Sequence, residues 1–252
     1  MEVIILGSGT CVPSARRAGP GALLRADGQQ FLIDSASGTL RQLARIGVSP
    51  PELDFLLYTH LHVDHTGDFA PLVFSLKYGG WHVGKIPRIF AAEGFQTFRE
   101  GLEQAWGEWV RMPGMELVEF PVALPSAVQE PPFIIRTAPV NHSDMSLAWR
   151  IEDSHGRSVV FSGDTDMSDS LVELAGGADL LVLECAFPEG HKVQGHLTPS
   201  EAGLLAERAG VGQLVLTHFY PVCDEHDMLS PCRENFSRGP VMAAEDFLRI
   251  AV

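Results

Sequence analysis

The chain has 252 residues, with 18 lysine and arginine residues against 32 aspartate and glutamate residues, a formal charge of −14 at pH 7. This acidic balance argues against binding of long DNA or RNA, which depends on clustered basic side chains. No apolar run approaches the ~20 residues that a membrane span needs, and no export signal is recognisable. We therefore expect a cytoplasmic protein without membrane contact, whose four cysteines, at positions 11, 185, 223 and 232, are free thiols.

Short apolar runs that end in a polar residue recur along the chain. Runs of this kind, bounded by glycine, proline and aspartate, are typical of buried β-strands. The runs are EVIIL before Gly7, QFLI before Asp34, FLLYT before His60, FIIRTAPVN before His142, SVVFSG before Asp164, DLLVL before Glu184 and QLVLT before His218. Strand ends meet at one rim of an α/β layer, so we expect these polar groups to form a site there.

Helical patterns lie between the strands. They are predicted over residues 37–46, 68–78, 94–110, 168–175, 199–209 and 241–248. The pattern at 199–209 is the best marked, because Thr198 and Glu201 form a capping box around Pro199 and Gly210 supplies the C-terminal stop.

No linker divides the sequence, so we expect a single domain over residues 1–252. The segment EDSHGRS at 152–158 predicts a hairpin turn between two strands. Strands in both halves, with helices interleaved, predict sheet packed on sheet with helices outside.

The segment YTHLHVDHTGDF at 58–69 holds the densest group of metal-binding side chains. His60 and His62 are two residues apart at a strand end and can point the same way. Asp64 and His65 come one turn later and aim at a neighbouring point. One short segment can therefore serve two ions, but it cannot complete both coordination spheres.

Distant strand ends supply the remaining candidate ligands. They are His142 in APVNHSD, Asp164 in VVFSGDTD and His218 in LVLTHFYP. Imidazole and carboxylate ligands without thiolate suit zinc best, with manganese or iron as alternatives.

The order H-x-H-x-D-H, then a strand-end His, an Asp in SGDT and a late LTH resembles the ligand order of the metallo-β-lactamase fold. LGSGTCVPS, LIDSASGTLRQL, LECAF, GHLTPSEAG and LTHFYP resemble the ribonuclease Z-like branch of that superfamily. The resemblance implies an α/β (α+β) fold, a four-layer αββα sandwich, and two divalent metal ions. It implies that His60, His62 and His142 hold one ion, that Asp64, His65 and His218 hold the second, and that Asp164 bridges them.

The candidate catalytic residues are Asp64, His196 and Glu184. His196 precedes the capped helix at 199–209, and in ribonuclease Z-like enzymes a His in this setting assists the leaving group or the phosphate. A Glu at the LECAF position orients it, which implies Glu184 here. We interpret His82, His155, His191 and His226 as surface or loop residues.

Two metal ions that share a water can generate a hydroxide, so the predicted reaction is hydrolysis. A small-molecule or short nucleotide phosphodiester is the first choice of substrate. A lactone, thioester or sulfate ester is an alternative, because the fold does not fix the bond that is cleaved. A non-catalytic metal-binding scaffold is the alternative outside enzymes.

Processing of tRNA 3′ ends is a further alternative for a ribonuclease Z-like chain. Ribonuclease Z enzymes carry an inserted arm that clamps tRNA, whereas only 21 residues separate His142 from Asp164 here. The resemblance also implies a homodimer. Segments 79–115 and 220–240 are candidate walls of the substrate cleft, although core packing explains Trp106 and Trp109 equally well.

Overall fold

The computed structural model describes residues 1–79 and 85–252. The first half contains strands β1 (Glu2–Gly7), β2 (Gly21–Ala26), β3 (Gln29–Ile33), β4 (Phe55–Leu57), β5 (Arg88–Ala92) and β6 (Leu117–Phe120). Its helices are α1 (Thr39–Arg45), α2 (Val63–Thr66), α3 (Phe69–Tyr78) and α4 (Phe95–Trp106). Short 3₁₀ turns occupy Pro50–Glu52 and Gly107–Trp109.

The second half is built in the same way. Its strands are β7 (Ser126–Glu130), β8 (Phe133–Pro139), β9 (Leu147–Glu152), β10 (Ser158–Phe161), β11 (Leu180–Glu184), β12 (Gln213–Thr217), β13 (Val241–Ala243) and β14 (Arg249–Ala251). Its helices are α5 (Asp169–Leu174), α6 (Pro199–Ala209) and α7 (Ser230–Asn235), with a 3₁₀ turn at Pro221–Glu225.

The strands form two seven-stranded mixed sheets. The first has the order β14-β1-β2-β3-β4-β5-β6 and the second β13-β12-β11-β10-β9-β8-β7. In the first sheet β1 and β3 flank the antiparallel β2, and β4 runs parallel to β3. In the second, β8 and β10 flank the antiparallel β9, while β11 and β12 run parallel to β10. The C-terminal ends of β1, β3 and β4 therefore share one rim of the first sheet, and those of β8, β10, β11 and β12 share one rim of the second.

Alternating burial along the strands shows how the layers stack. In the first sheet Leu24 and Phe31 belong to the core between the sheets, whereas their neighbours Leu23 and Leu32 belong to a second core under the outer helices. This two-residue period is the signature of a sheet covered on both faces. Helix α6 packs on the second sheet against β11, with Leu205 buried. The expected αββα sandwich is confirmed.

Two hydrogen bonds tie the sheets together at the rim. The Trp149 indole donates to the Tyr58 carbonyl oxygen at 3.1 Å, and the Leu147 amide donates to the Thr59 carbonyl oxygen at 2.8 Å. Both acceptors lie immediately after β4, so the chain that leaves the first sheet is fixed to β9 of the second.

Most predicted elements are present, including the hairpin turn between β9 and β10. Glu201 accepts a hydrogen bond from the Thr198 amide at 2.9 Å at the start of α6, and Gly210 ends the helix in the left-handed conformation with φ 69°. All four cysteines are free. The short helices α2 and α7 were not predicted as separate elements.

The helix predicted over residues 241–248 is wrong. Residues Val241–Ala243 form β13, which pairs in parallel with β12 at the edge of the second sheet. The φ of Phe247 is 69°, which no right-handed helix accommodates. Pairing with the open edge of β12 therefore outweighs the helical periodicity of this segment.

Candidate metal centre

The segment after β4 supplies the first ligand-type side chains. Thr59 fixes its start, because the Thr59 amide and hydroxyl donate to the two carboxylate oxygens of Asp34, each at 2.8 Å. His60 and His62 follow, and their ring centroids lie 4.6 Å apart. His60 is buried and His62 is exposed. The two rings thus meet at the rim, one beneath the surface and one on it.

Asp64 and His65 lie on α2 and face a neighbouring point. The Asp64 carboxylate lies 3.6 Å from Nε2 of His218, and the His65 ring centroid lies 5.4 Å from that of His218. The centroids of His60 and His65 are 4.1 Å apart. The segment therefore presents two adjacent groups of side chains.

The second sheet contributes one side chain from each of three strand ends. His142 follows β8, Asp164 follows β10 and His218 follows β12. Gly163 permits the sharp turn before Asp164, since its φ is 59° and a Cβ atom there would lie 2.6 Å from the Thr59 Cβ. The strand ends that are far apart in sequence therefore converge on the segment after β4.

Asp164 stands between the two groups. One carboxylate oxygen, Oδ2, lies 3.8 Å from Nε2 of His60 and 3.7 Å from Nε2 of His142. The other, Oδ1, lies 3.2 Å from Nε2 of His65 and 3.3 Å from Nε2 of His218. Each oxygen thus faces its own pair of imidazole nitrogens.

These donors fit divalent metal ions. His60, His62, His142 and Asp164 offer ligand atoms within 4.8 Å of one another, and so do Asp64, His65 and His218. Several buried atoms in these groups have no hydrogen-bond partner among the described residues: Nε2 of His60 and His65, Oδ1 of Asp164, and both ring nitrogens of His218. Buried polar atoms rarely remain unpaired without an ion or water. Burial also lowers the pKa of His60 well below its usual value, which leaves a neutral ring able to bind a metal.

Hydrogen-bond partners of the candidate ligands set the orientations of their rings. Nδ1 of His65 donates to Asp34 at 2.8 Å, and Nδ1 of His142 donates to the Gly195 carbonyl oxygen at 2.9 Å. Each bond turns Nε2 toward the centre and fixes the tautomer. The sequence predicts Asp34 at the rim but does not indicate its role as a partner of His65. Its position at the end of QFLI, one strand from the histidine motif, is the feature of the sequence that could have pointed to this role.

His196 and Glu184 form a pair beside the ligands. Nδ1 of His196 lies 2.8 Å from Oε1 of Glu184, which also accepts the Thr165 amide at 3.0 Å. Oε2 of Glu184 accepts the Ala186 amide at 2.9 Å, so the carboxylate is held firmly. The His196 ring centroid is 4.9 Å from that of His142. With Nδ1 engaged, Nε2 of His196 is the nitrogen available at the centre.

The pair also controls the charge on His196. Burial lowers the pKa of His196, but the hydrogen bond and the charge of Glu184 outweigh burial, and the pKa of His196 stands above its usual value. Asp164 and Asp64 act in the same direction. His196 therefore keeps its proton to a higher pH than a free histidine does, and the protonated ring can donate a hydrogen bond.

The remaining histidines lie away from this centre. His155, His191 and His226 are exposed, and His82 is outside the described residues. Core packing as an explanation for Trp106 and Trp109 is wrong, because these side chains are 51% and 59% exposed. Tyr220, at the start of the second candidate wall segment, has its ring centroid 6.2 Å from that of His218.

A family model described as the β-lactamase superfamily domain matches residues 29–219. A protein named ribonuclease Z from Mycobacterium bovis is 33% identical over 280 aligned positions, which cover 100% of this chain and 98% of the relative. The chain belongs to the metallo-β-lactamase superfamily. Within that superfamily it is ribonuclease Z-like, and it is a metal-dependent hydrolase.

Solved structures of metallo-β-lactamase-fold proteins agree with the architecture. The Bacillus subtilis protein YhfI superposes with a TM-score of 0.82 at 26% identity and covers 99% of this chain and 98% of its own. Human tRNase Z, short form, superposes with a TM-score of 0.81 at 23% identity and covers 100% of this chain and 99% of its own.

None of the helices within residues 1–79 and 85–252 is long and apolar enough to cross a membrane.

Proposed function

We propose that the protein hydrolyses a phosphodiester bond with two divalent metal ions, zinc being the first choice. His60, His62 and His142 would hold one ion, and Asp64, His65 and His218 the other. The observation that carries this proposal is Asp164, whose two oxygens face separate pairs of imidazole nitrogens at 3.2–3.8 Å. A carboxylate placed in this way serves two ions better than one, and two-ion sites are suited to phosphate esters.

When bound, such ions lower the pKa of a shared water and offset the charge that develops on the phosphate oxygens. The protein's own groups complete the chemistry. The Asp64 side chain is 16% exposed, so its carboxylate can accept a hydrogen bond from the attacking water. Protonated His196, held by Glu184, can donate to the oxygen of the leaving group, which is the role of a general acid. Glu184 orients the ring and stabilises its positive charge.

A small or short nucleotide phosphodiester is the substrate class that we propose first. The alignment with the Mycobacterium bovis relative runs over 280 positions against 252 residues here, so the relative has at least 28 residues that this chain lacks. Between His142 and Asp164 the chain forms only the hairpin of β9 and β10 with short connections. This leaves no room there for the arm that clamps tRNA in ribonuclease Z enzymes.

Cleavage at the 3′ end of a tRNA precursor is the second candidate. It is supported by the name ribonuclease Z that full-length relatives from Mycobacterium bovis and Mycolicibacterium gilvum carry, at 33% and 31% identity. These names stand against our expectation that a long nucleic acid is an improbable partner. The two candidates share the bond and the site, and they differ in the size of the substrate.

A substrate panel with metal analysis tests the proposal. Zinc-loaded protein should contain about two ions per chain and should cleave bis(p-nitrophenyl) phosphate and a short oligoribonucleotide. Faster cleavage of a tRNA precursor than of the oligoribonucleotide would favour the second candidate. If the loaded protein left every phosphodiester intact but opened lactones or thioesters, the phosphodiesterase proposal would be wrong.

A further inference from the structure

The residues that follow β1 and those of α1 enclose an arginine-lined pocket. Its volume is about 510 Å³, and it is formed by residues 14–18, by α1 and by Asp246 and Phe247. Four guanidinium groups line it, those of Arg16, Arg17, Arg41 and Arg45. In a chain with 18 basic residues and a net charge of −14, such a concentration of positive charge is a local departure from the overall composition.

Most of this positive charge is not used by the fold. Arg17 is the exception, since it donates to Asp224, to the Ser8 hydroxyl and to the Ala244 carbonyl oxygen. Arg16 is 68% exposed and only approaches Asp224, at 3.9 Å. Arg41 and Arg45 are exposed, and neither takes part in the ion pairs found within residues 1–79 and 85–252.

Arg45 is nevertheless held in place. Its guanidinium lies over the Phe247 ring, 4.4 Å from the centroid, and it donates to the Gln42 side chain at 3.1 Å. Stacking of this kind leaves the edge of the guanidinium plane free to donate to a ligand. Phe247 has a φ of 69°, and its amide donates to the Ile5 carbonyl oxygen at 2.7 Å, which fixes its backbone to β1.

The one carboxylate in the pocket lining does not neutralise these arginines through contact. Asp246 accepts hydrogen bonds from the Ser8 amide and hydroxyl and from the Ala18 amide, at 2.8–3.0 Å. It also accepts one from the Gln42 side chain at 3.0 Å. Its oxygens are therefore occupied in joining β1, residues 14–18 and α1. The pocket is left with an excess of positive charge.

The pocket and the metal centre share one frame. The Phe219 amide, next to His218, donates to the Ser8 carbonyl oxygen at 2.9 Å, and Arg17 lies over the Phe219 ring at 4.7 Å.

On the other side, the amides of Gly38 and Leu40 at the start of α1 donate to Asp68 at 3.0 and 2.9 Å. The Ser35 amide donates to the His65 carbonyl oxygen at 2.8 Å. Residues that border the pocket are thus fixed to residues that border the ligands.

We propose that this pocket binds a phosphate group of the substrate other than the one that is hydrolysed. Guanidinium groups match phosphate oxygens in charge and geometry, and exposed arginines that make no ion pair lose little when they bind one. The inference rests on the proposed phosphodiesterase function and adds to it that the preferred substrate carries at least two phosphates. It also explains how an acidic chain can hold a polyanionic substrate, through a local cluster rather than through net charge.

A binding experiment on the metal-loaded protein tests the pocket. The probe is a labelled, phosphorothioate-linked oligoribonucleotide, and binding is followed by fluorescence anisotropy at several salt concentrations. The variant is Arg41→Gln with Arg45→Gln. The matched control is Arg136→Gln with Arg249→Gln, which removes the same charge from exposed arginines that pair with Glu152 and Glu2.

The pocket variant should bind at least ~10-fold more weakly and show a salt slope smaller by about 1. The control should bind like the unmodified protein, and Arg41→Lys with Arg45→Lys should recover part of the affinity. Equal binding by the pocket variant and the control overturns the proposal, and so does an unmodified protein that fails to bind. If inorganic phosphate binds as tightly as the oligoribonucleotide at equal ionic strength, the pocket is a site for free phosphate and the proposal is again wrong.

Hydrolysis of bis(p-nitrophenyl) phosphate by the unmodified protein separates the two proposals. If the protein is inactive but still binds the oligoribonucleotide through the arginines, the pocket proposal stands and the phosphodiesterase proposal is wrong. If the protein is active but its affinity for the oligoribonucleotide does not depend on the arginines, the phosphodiesterase proposal stands and the pocket proposal is wrong.

Discussion

The two sheets bring candidate ligands to the centre in different ways. The first sheet places His60, His62, Asp64 and His65 there from one continuous segment after β4. The second sheet places His142, Asp164 and His218 there from three separate strand ends. The first arrangement depends on local geometry and the second on the packing of the whole sheet.

The two halves of the centre therefore differ in which substitutions should disrupt them. The residues of a continuous segment stay close together whether or not the sheets are paired. They need only hydrogen-bond partners such as Asp34 to fix the orientations of their rings. Residues from three strand ends meet only when β8 to β12 are correctly paired. We therefore expect the largest loss of activity from substitutions in the second sheet. Asp164 should give the largest effect of all, because both groups of side chains depend on it.

Asp164→Ala should have the largest effect. It removes the carboxylate that faces both groups, so we expect turnover to fall by at least ~10³-fold, as when a major electrostatic contribution is lost. The metal content should fall below that of the unmodified protein. Turnover with a phosphodiester and metal analysis by mass spectrometry measure these changes, and circular dichroism checks the fold. A variant that keeps its full metal content would show that Asp164 is not shared.

His196→Ala should come next, with turnover reduced ~10²–10⁴-fold and the metal content retained. The reduction should be greater for an alkyl leaving group than for p-nitrophenolate, because a good leaving group needs no proton. Glu184→Gln should show the same dependence on the leaving group with a smaller loss. Equal losses for both leaving groups would assign His196 to substrate binding rather than to proton transfer.

Asp34→Asn probes the first sheet and should have an intermediate effect. The Asn side chain lacks the carboxylate that accepts the hydrogen bond from Nδ1 of His65. Metal affinity should therefore fall ~10–100-fold, the usual effect of losing the hydrogen-bond partner of a metal ligand. Competition with a chelator of known affinity measures the change. Thr59→Val removes a neighbouring hydrogen bond to Asp34 and should weaken binding less. Unaltered chelator resistance in Asp34→Asn would show that the backbone alone fixes His65.

His155→Ala should have the smallest effect and serves as the negative comparison. His155, Asp153 and Asp27 also bring ligand-type atoms within 4.8 Å of one another, but Asp153 is already bonded to Arg157. We expect metal content and turnover to stay the same and the melting temperature to change little, as for most surface substitutions. A lower metal content in this variant would reveal a further binding site on the surface.

Local signals in the sequence predicted the local structure well. The capping box of α6, the turn between β9 and β10 and the histidine spacing after β4 each depend on residues close in sequence. The prediction failed at 241–248, where the partner that decides the structure is β12, some 25 residues earlier. It also left Asp34 without a role, because the position of Asp34 at the end of QFLI predicts that it lies at the rim but does not predict its contact with His65.

The fold class follows from the sequence, and so does the proposal of seven candidate ligands, because the signals of strand ends and ligand spacing are local and their order resembles a known superfamily. The tertiary structure was needed to find that Asp164 turns one oxygen toward each group and that Asp34 accepts a hydrogen bond from His65. It also decided that four arginines surround one pocket on an acidic protein. Orientation and charge clustering arise from side chains of different elements meeting in space. A local sequence pattern does not predict the distances between side chains of different elements.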